Sequence, residues 1–403
     1  MEMAIWYLAV GFAATLAVPV AMYAAECVAG CLSTRPAETR RSSRRPSVAV
    51  LVPAHNEESG IAKTILSIRG QMSEGDRLLV VADNCSDRTA EVARVAGAEV
   101  VERRDPSRRG KGFALDFGLA CLASSPRPVV VFVDADCTLL PGSLDALAHK
   151  AGAERRPVQS CNLMIAPEGG GRDTSVAEFA FLVKNYVRPR GMARMGLPCQ
   201  LTGTGMALPW SLTDRALMAT DQLAEDMQLG LDLAATGNFP VYCEEAGVRS
   251  RFPETTANLT TQRSRWEVGH LRLVVSGIGI LLRPATWRSP RYLAMVLDVM
   301  VPPLTLLVLL IGFAALLGAV GGVIGAGWGP FVFALVLGIV VVGSTLLAWS
   351  THGRSVVSAQ SLLRIPAYVA SKVWIYPRAL LGRSNRSWIR TGRDGAHQES
   401  TST

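Results

Sequence analysis

Two aspartates separated by one alanine, Asp134-Ala-Asp136, follow the apolar run Val129 to Val133. Where such a run ends and the chain turns, both carboxylates can reach one Mg2+ or Mn2+ ion and a diphosphate held by it, because these ions take a few carboxylates plus phosphate oxygens. The same pair could also cap a turn ahead of Pro141, a common use of Asp. Asp83 closes a second apolar run, Arg77 to Ala82, and Lys111 sits between glycines in Arg109-Gly-Lys-Gly112. Glu225-Asp226 opens the amphipathic run Met227 to Leu233, a place where acids are favoured by the dipole of a helix. Gln262-Arg-Ser-Arg-Trp266 brings together an amide, two arginines and an indole, a composition also found in basic, aromatic belts beside membranes.

These residues need strands and helices to hold them. Ser47 to Val52 is a continuous apolar, β-branched run ending in Pro53-Ala-His-Asn-Glu57, as expected of a buried parallel strand followed by a loop. Ile61, Ile65 and Ile68 then recur at helical spacing, Arg77 to Ala82 is a second strand, Thr89 to Ala96 a helix, and Val129 to Val133 a further strand. Alternating strands and helices predict a parallel sheet covered on both faces. Ligands of such sheets bind beyond the carboxyl ends of the strands, where Asp83 and Asp134 fall. No Gly-x-Gly-x-x-Gly follows the first strand and the chain has no Walker loop, which disfavours dinucleotide and P-loop chemistry.

The ordered series Pro53 to Glu57, Asp83, Lys111, Asp134-Ala-Asp136, Thr202-Gly-Thr-Gly205, Glu225-Asp226 and Gln262 to Trp266 resembles the family 2 glycosyltransferases. It looks most like the membrane branch with cellulose, hyaluronan and poly-N-acetylglucosamine synthases and ceramide glucosyltransferases, and it spans roughly Ser47 to Trp266. The resemblance implies a GT-A fold, an α/β domain with a Rossmann-like, mostly parallel sheet, working as a metal-dependent, inverting hexosyltransferase on a UDP-sugar donor. Pro53, His55, Glu57 and Asp83 would line the uridine pocket, and Lys111 would lie near the nucleotide end. Asp134 would meet the diphosphate and Asp136 the Mg2+ or Mn2+ ion. Elementary chemistry agrees, since a pyrimidine offers one N–H for a carboxylate to accept and a lysine neutralises phosphate as a point charge. Asp226 would be the base that takes the acceptor's hydroxyl proton. Gln262, Arg263 and Arg265 would flank the departing diphosphate, and Trp266 would offer a flat surface to a sugar ring. The sugar stays open among glucose, N-acetylglucosamine and galactose.

The chain has 403 residues, 49% of them hydrophobic, and a net charge of +8, a balance that leans towards a membrane protein. Met3 to Ala25 carries no charge; a helix needs roughly 20 apolar residues to cross a bilayer, and without a clear cleavage site this one reads as a retained anchor. Val299 to Thr351 is also uncharged, long enough for two spans joined at the glycine-rich stretch Gly318 to Pro330. Arginines follow the first run and flank the second on both sides, which predicts a cytoplasmic middle. Because they adjoin apolar segments, the partner is a membrane surface and not nucleic acid. The eight cysteines are scattered, without CxxC pairs or zinc spacing.

The expected plan is an anchor at 1–30, a basic linker at 31–46 and a cytoplasmic catalytic domain at 47–267. An interfacial helix with its linker follows at 268–292, then two transmembrane helices at 293–352, an interfacial amphipathic segment at 353–390 and a disordered tail. The whole is a multi-pass protein of the inner, plasma membrane, free to oligomerise, acting on a lipid or lipid-linked glycan in envelope or exopolysaccharide synthesis. The alternatives are a processive synthase that secretes its polymer and, more remotely, a catalytically silent scaffold.

Overall fold

The computed structural model describes residues 2–32, 45–167, 172–213, 224–253 and 256–371. Residues 33–44 of the basic linker, the tail and residues 372–390 of the 353–390 segment lie outside them. After the N-terminal helix α1 (Glu2–Cys31) come β1 (Val48–Ala54), α2 (Ile61–Arg69), β2 (Arg77–Asp83), α3 (Thr89–Val95), β3 (Glu99–Arg103), α4 (Lys111–Leu122) and β4 (Val129–Phe132). Next are β5 (Thr138–Leu139), α5 (Ser143–Glu154), β6 (Val158–Ile165), α6 (Arg172–Leu182), a π-helical turn (Val183–Val187), α7 (Arg188–Arg194) and β7 (Met206–Pro209). The chain continues through α8 (Glu225–Ala235), β8 (Val241–Arg251), α9 (Thr256–Leu281), α10 (Pro284–Trp287) and α11 (Pro290–Val299). It ends, among the described residues, with α12 (Leu304–Val323), α13 (Gly329–Ala348), α14 (Ala359–Leu362) and α15 (Ile365–Ser371).

The strands form one sheet of order β3-β2-β1-β4-β7-β6-β8-β5. It is parallel through β3-β2-β1-β4 and in the pair β6–β8, and antiparallel where β7 meets β4 and β6 and where β5 meets β8. Alternate side chains of β1 divide between two cores, as a two-residue period demands. Val48, Val50 and Val52 pack with Ile61, Ile65 and Ile68 of α2 and Leu144 and Leu147 of α5. Ala49 and Leu51 pack on the opposite face with Leu115 and Leu119 of α4 and Leu229 and Leu233 of α8. The mixed, mostly parallel α/β sheet covered on both faces is thus present, and the antiparallel strand β7, unmarked in the sequence, is its departure from simple alternation.

Three helices, α1, α12 and α13 with its short continuation to Gly353, are long and apolar enough to cross a membrane; at about 1.5 Å per residue, 20 residues span the hydrocarbon thickness. They share a cluster containing Leu16, Val20, Tyr23, Leu307, Ile311, Leu337 and Val341, while Phe313, Leu316, Leu335 and Ile339 remain exposed on the outside. The turn between α12 and α13 is shorter than the glycine-rich stretch suggested. Gly318 stays helical, and its missing side chain lets the α13 backbone come so close that a Cβ would lie 2.4 Å from Phe331 N. Helix α9 likewise begins earlier than expected, so Gln262 to Trp266 lies on it rather than ahead of it. Its inner face, through Leu273, joins Met227 and Leu231 of α8 and Met295, Val296 and Val299 of α11, whereas Val275 and Ile278 are exposed.

Candidate active site

Strand β4 ends at Phe132, and its parallel neighbour β1 and antiparallel neighbour β7 fix where the following aspartates emerge. The Asp134 N–H donates to Thr204 Oγ1 at 3.0 Å, so the Thr202 to Gly205 segment entering β7 holds the Asp134 loop. Gly203 and Gly205 have φ of +81° and +64°, values that a side chain strains. A Cβ on Gly205 would also lie 1.9 Å from Ser160 Oγ, and one on Gly203 would lie 3.0 Å from Asp226 Oδ2. The glycines therefore let the β7 loop press against both β6 and the head of α8.

A cavity of about 340 Å³ opens here. Lys111, Asp134, Asp136, Glu225, Asp226, Gln262, Arg265 and Trp266 all line it, so residues up to 155 positions apart in sequence share one space. At its centre the Lys111 ammonium is 2.5 Å from Asp134 Oδ1 and donates to Gly203 O at 2.6 Å. Asp226 divides its carboxylate: Oδ1 accepts the Met227 N–H at 2.8 Å, while Oδ2 faces Gly203. Asp226 lies in the first turn of α8, whose N-cap is Ala224 without a side-chain hydrogen bond, so it does not cap the helix.

Electrostatics follow from this crowding. Burial pushes the Asp134 carboxyl up against the pull of Lys111, with Asp136 adding to the rise. Burial and the neighbouring Asp226 push Glu225 up to about 7. Asp226 is raised too, by burial, with Lys111, the Met227 N–H and Lys184 opposing. Burial disfavours the Lys111 charge, but Asp134 and Glu225 outweigh it and hold the amine protonated. A site with this many acids close together is stabilised by any cation that enters.

Asp134, Asp136 and Cys137 carry ligand atoms within 4.8 Å of one another. Burial drives the Cys137 thiol well above its ordinary range, so it stays protonated and donates to Asp136 Oδ1 at 3.2 Å. The oxygens left to a metal are those of two aspartates, a donor set that fits a hard ion completed by phosphate oxygens and water.

The expected uridine residues lie elsewhere on the same sheet edge. Pro53, His55, Glu57 and Asp83, at the ends of β1 and β2, are not among the residues that wall the cavity. His55 Nδ1 donates to the Asp83 carbonyl at 2.6 Å. The Asp83 carboxylate is buried against Arg103 Nη1 at 2.6 Å and also accepts from Asn84 Nδ2 at 3.0 Å. Arg103 was not singled out from the sequence, since nothing in Glu99 to Arg103 distinguishes it from the other surface charges of an edge strand.

On the far side, Trp266 is 39% exposed and its ring centroid lies 6.0 Å from that of Phe181. Arg265 is partly buried, its charge disfavoured by burial and supported by Glu225. Arg263 occupies the same helix, with its side chain outside the described set.

The membrane-side wall holds an ion-paired group the sequence did not reveal. Arg188, at the start of α7, pairs through Nε with Glu26 of α1 and through Nη2 with Asp298 Oδ1 of α11 at 2.6 Å. Gln200 Nε2 joins Asp298 Oδ2 at 3.0 Å, and buried His270 shares a 2.8 Å hydrogen bond with Val299 O. Burial and the nearby Lys184 depress the His270 imidazole to about 3, so it is neutral there. Below this wall Gly30 and Gly191 let α1 and α7 touch backbone to backbone, a Cβ on Gly191 falling 2.0 Å from Glu26 O.

The sequence model of "Glycosyltransferase like family 2" matches residues 46–269, more than half the chain. The chain belongs to this family. As a family 2 glycosyltransferase it is similar to a probable glycosyltransferase, YdaM, of Bacillus subtilis, at 27% identity over 250 residues, 57% of this chain and 56% of that protein. It is also similar to a dolichyl-phosphate hexose transferase of Haloferax volcanii, at 35% identity over 104 residues, 25% of this chain and 42% of the other. The chain thus spans about half, or less, of the length of these curated relatives. Among solved structures, a Pyrobaculum calidifontis mannosyltransferase in complex with GDP-Man and Mn2+ superposes with a TM-score of 0.59 at 17% identity, covering 95% of this chain and 100% of the other. That likeness shows a common GT-A fold, and it extends beyond the sheet to the helices.

Proposed function

We propose that this family 2 glycosyltransferase is an inverting, metal-dependent hexosyltransferase that moves a sugar from a UDP-sugar to a membrane lipid or lipid-linked glycan. The observation that carries the reading is that Asp226 and the Asp134–Asp136 pair face one cavity. Its remaining wall is built from α7 and α11, which pack on helices apolar enough to span a bilayer.

In this reading His55, Glu57, Asp83 and Pro53 hold the uracil at the ends of β1 and β2, and the diphosphate runs from there towards Lys111 and Asp134. Asp136 and Asp134 would hold a divalent ion, which would supply Lewis-acid stabilisation of the leaving group. Asp226, through Oδ2, takes the proton of an acceptor hydroxyl as that oxygen forms its bond to the anomeric carbon. The bond from that carbon to the diphosphate breaks on the opposite face, inverting the centre, and its electron pair leaves with UDP. Lys111, Arg265 and Arg263 balance the charge that develops there, and Gln262 helps to place it. Trp266, half-exposed at the rim, gives the acceptor a stacking surface.

The protein then sits in the inner membrane with α1, α12 and α13 as spans. Its domain is cytoplasmic, consistent with Arg283, Arg288, Arg291 and Arg354 beside the apolar helices. A short product is expected, because lipid cannot satisfy the hydroxyls of a translocating polymer and the three helices expose mainly Leu, Ile, Val and Phe. The test is purified protein in lipid with each labelled UDP-sugar. An organic-extractable glycolipid with one added sugar supports the proposal, and a ladder of long water-soluble polysaccharide favours a processive synthase instead.

A further inference from the structure

Four Asn or Gln side chains among the described residues carry a buried amide oxygen with no hydrogen-bond partner: Asn162, Asn185, Gln200 and Gln262. All four line the one cavity. An orphaned buried acceptor costs roughly 1–3 kcal/mol, so native structures hold few of them without reason. Gln262 belongs to the donor side already described. Asn162, Asn185 and Gln200 come from β6, the π-helical turn and the loop before β7, separate elements that converge on the side of Arg188 and Asp298.

The orientation of two of them is fixed by what their nitrogens do. Asn162 Nδ2 donates to Thr202 O at 3.3 Å. Gln200 Nε2 donates to Met295 O and to Asp298 Oδ2, each at 3.0 Å. Turning either amide over would set oxygen against oxygen, so what this wall lacks is a donor. Asn162 and Asn185 are 6% and 4% exposed, so bulk water reaches them poorly.

Charge narrows the partner. Arg188 is held between two carboxylates, Glu26 and Asp298, and has no positive charge to spare, while burial disfavours the charge of Lys184 beside Asn185. A phosphate monoester brings acceptor oxygens and negative charge, neither of which these amides and acids welcome. A ring bearing several hydroxyls brings donors and no charge.

We propose that Asn162, Asn185 and Gln200 form the acceptor subsite, and that the acceptor presents a neutral, hydroxyl-rich head, a glycosyl lipid end rather than a lipid phosphate. This rests on the transferase reading above, with Asp226 next to the same space.

The experiment uses the full chain in mixed micelles, with Mn2+ and labelled UDP-sugars, offering dodecyl glucoside or dodecyl phosphate as acceptor. Calorimetric binding of UDP with Mn2+ is measured alongside. The expected result is transfer to dodecyl glucoside, with an acceptor KM raised about 3–10-fold in Asn185→Leu or Asn162→Leu, the worth of one neutral hydrogen bond. UDP affinity is expected to hold in both variants. The melting temperature of Asn185→Leu should hold or rise, because an unpaired amide oxygen is removed; a purely structural role for that amide would lower it. Transfer to dodecyl phosphate in preference, no transfer to either probe, or an unchanged KM in both variants overturns the inference. Failure of the wild-type protein to bind UDP is the different result that would remove the underlying transferase reading.

Discussion

The Lys111 ammonium stands 2.5 Å from Asp134 Oδ1 and within reach of Asp226 and Glu225. One lysine thus answers the acids that would bind a metal and the acid proposed as base. Lys111→Met should leave those carboxylates unbalanced and weaken UDP binding by at least ~10-fold, since a hydrogen bond to a charged group contributes about 1.5–3 kcal/mol. Calorimetry with UDP and Mn2+ checks it; unaltered affinity would show that Lys111 balances the neighbouring acids and not the nucleotide.

Asp136→Ala should abolish transfer while the protein remains folded in detergent, because Asp136 lies at a strand end and packs little. Excess chelator should do the same to the wild-type enzyme, and activity should return on adding Mg2+ or Mn2+. Full turnover in chelator would exclude the metal-bridged diphosphate.

Asp226→Asn should lower turnover at least ~100-fold, the low end for general base catalysis, and leave UDP affinity nearly unaltered. The Met227 N–H bond survives this change, since an amide oxygen accepts as a carboxylate does, so folding should be preserved. A parallel collapse of UDP binding would make Asp226 part of the donor site.

Glu225 gives a pH test in the metal-free protein. Its folded value is about 7 against 4.5 for the free side chain, so between those values the folded state holds a proton that the unfolded state has released. Its contribution is fully present below about 4.5 and is lost as pH rises through about 7. The melting temperature of the wild-type protein should therefore fall from pH 5 to pH 8 more steeply than that of Glu225→Gln. Parallel curves would mean that Glu225 ionises normally.

Arg188→Met should be among the most destabilising substitutions, because it strands Glu26 and Asp298 together; breaking a buried ion pair costs about 3–5 kcal/mol. Denaturation in detergent measures the loss. Restoring most of it by adding Glu26→Gln and Asp298→Asn would confirm that stranded charge, not lost packing, is responsible.

What the sequence made legible were features written in consecutive residues. The β-branched runs into Pro53, Asp83 and Asp134 announced three parallel strands, and uncharged stretches announced three long helices. Asp226 at the head of a helix was visible for the same reason. Strand β7 was hidden because Met206-Ala-Leu-Pro209 is too short to carry a period. Arg188 was hidden more deeply: its partners Glu26 and Asp298 are 162 and 110 residues away, and no local pattern links them. The same holds for the amides of the cavity wall, whose only mark is what they fail to bond with after folding.

The contacts of α1 also set an order of events during synthesis. Tyr23 hydrogen-bonds Thr345 at 2.8 Å across 322 residues of chain, and Glu26 waits for Arg188 before its charge is compensated. Helix α1 therefore meets its partners in stages, α7 midway along the chain and α13 near the end of the described residues. Between those moments the domain can build its sheet, since β1 to β8 pair among themselves, but the wall carrying Arg188 and Asp298 is unfinished. A chain stalled before α13 would hold the Arg188 pairs with Glu26 and Asp298 and still lack the helix that the Tyr23–Thr345 hydrogen bond ties to α1.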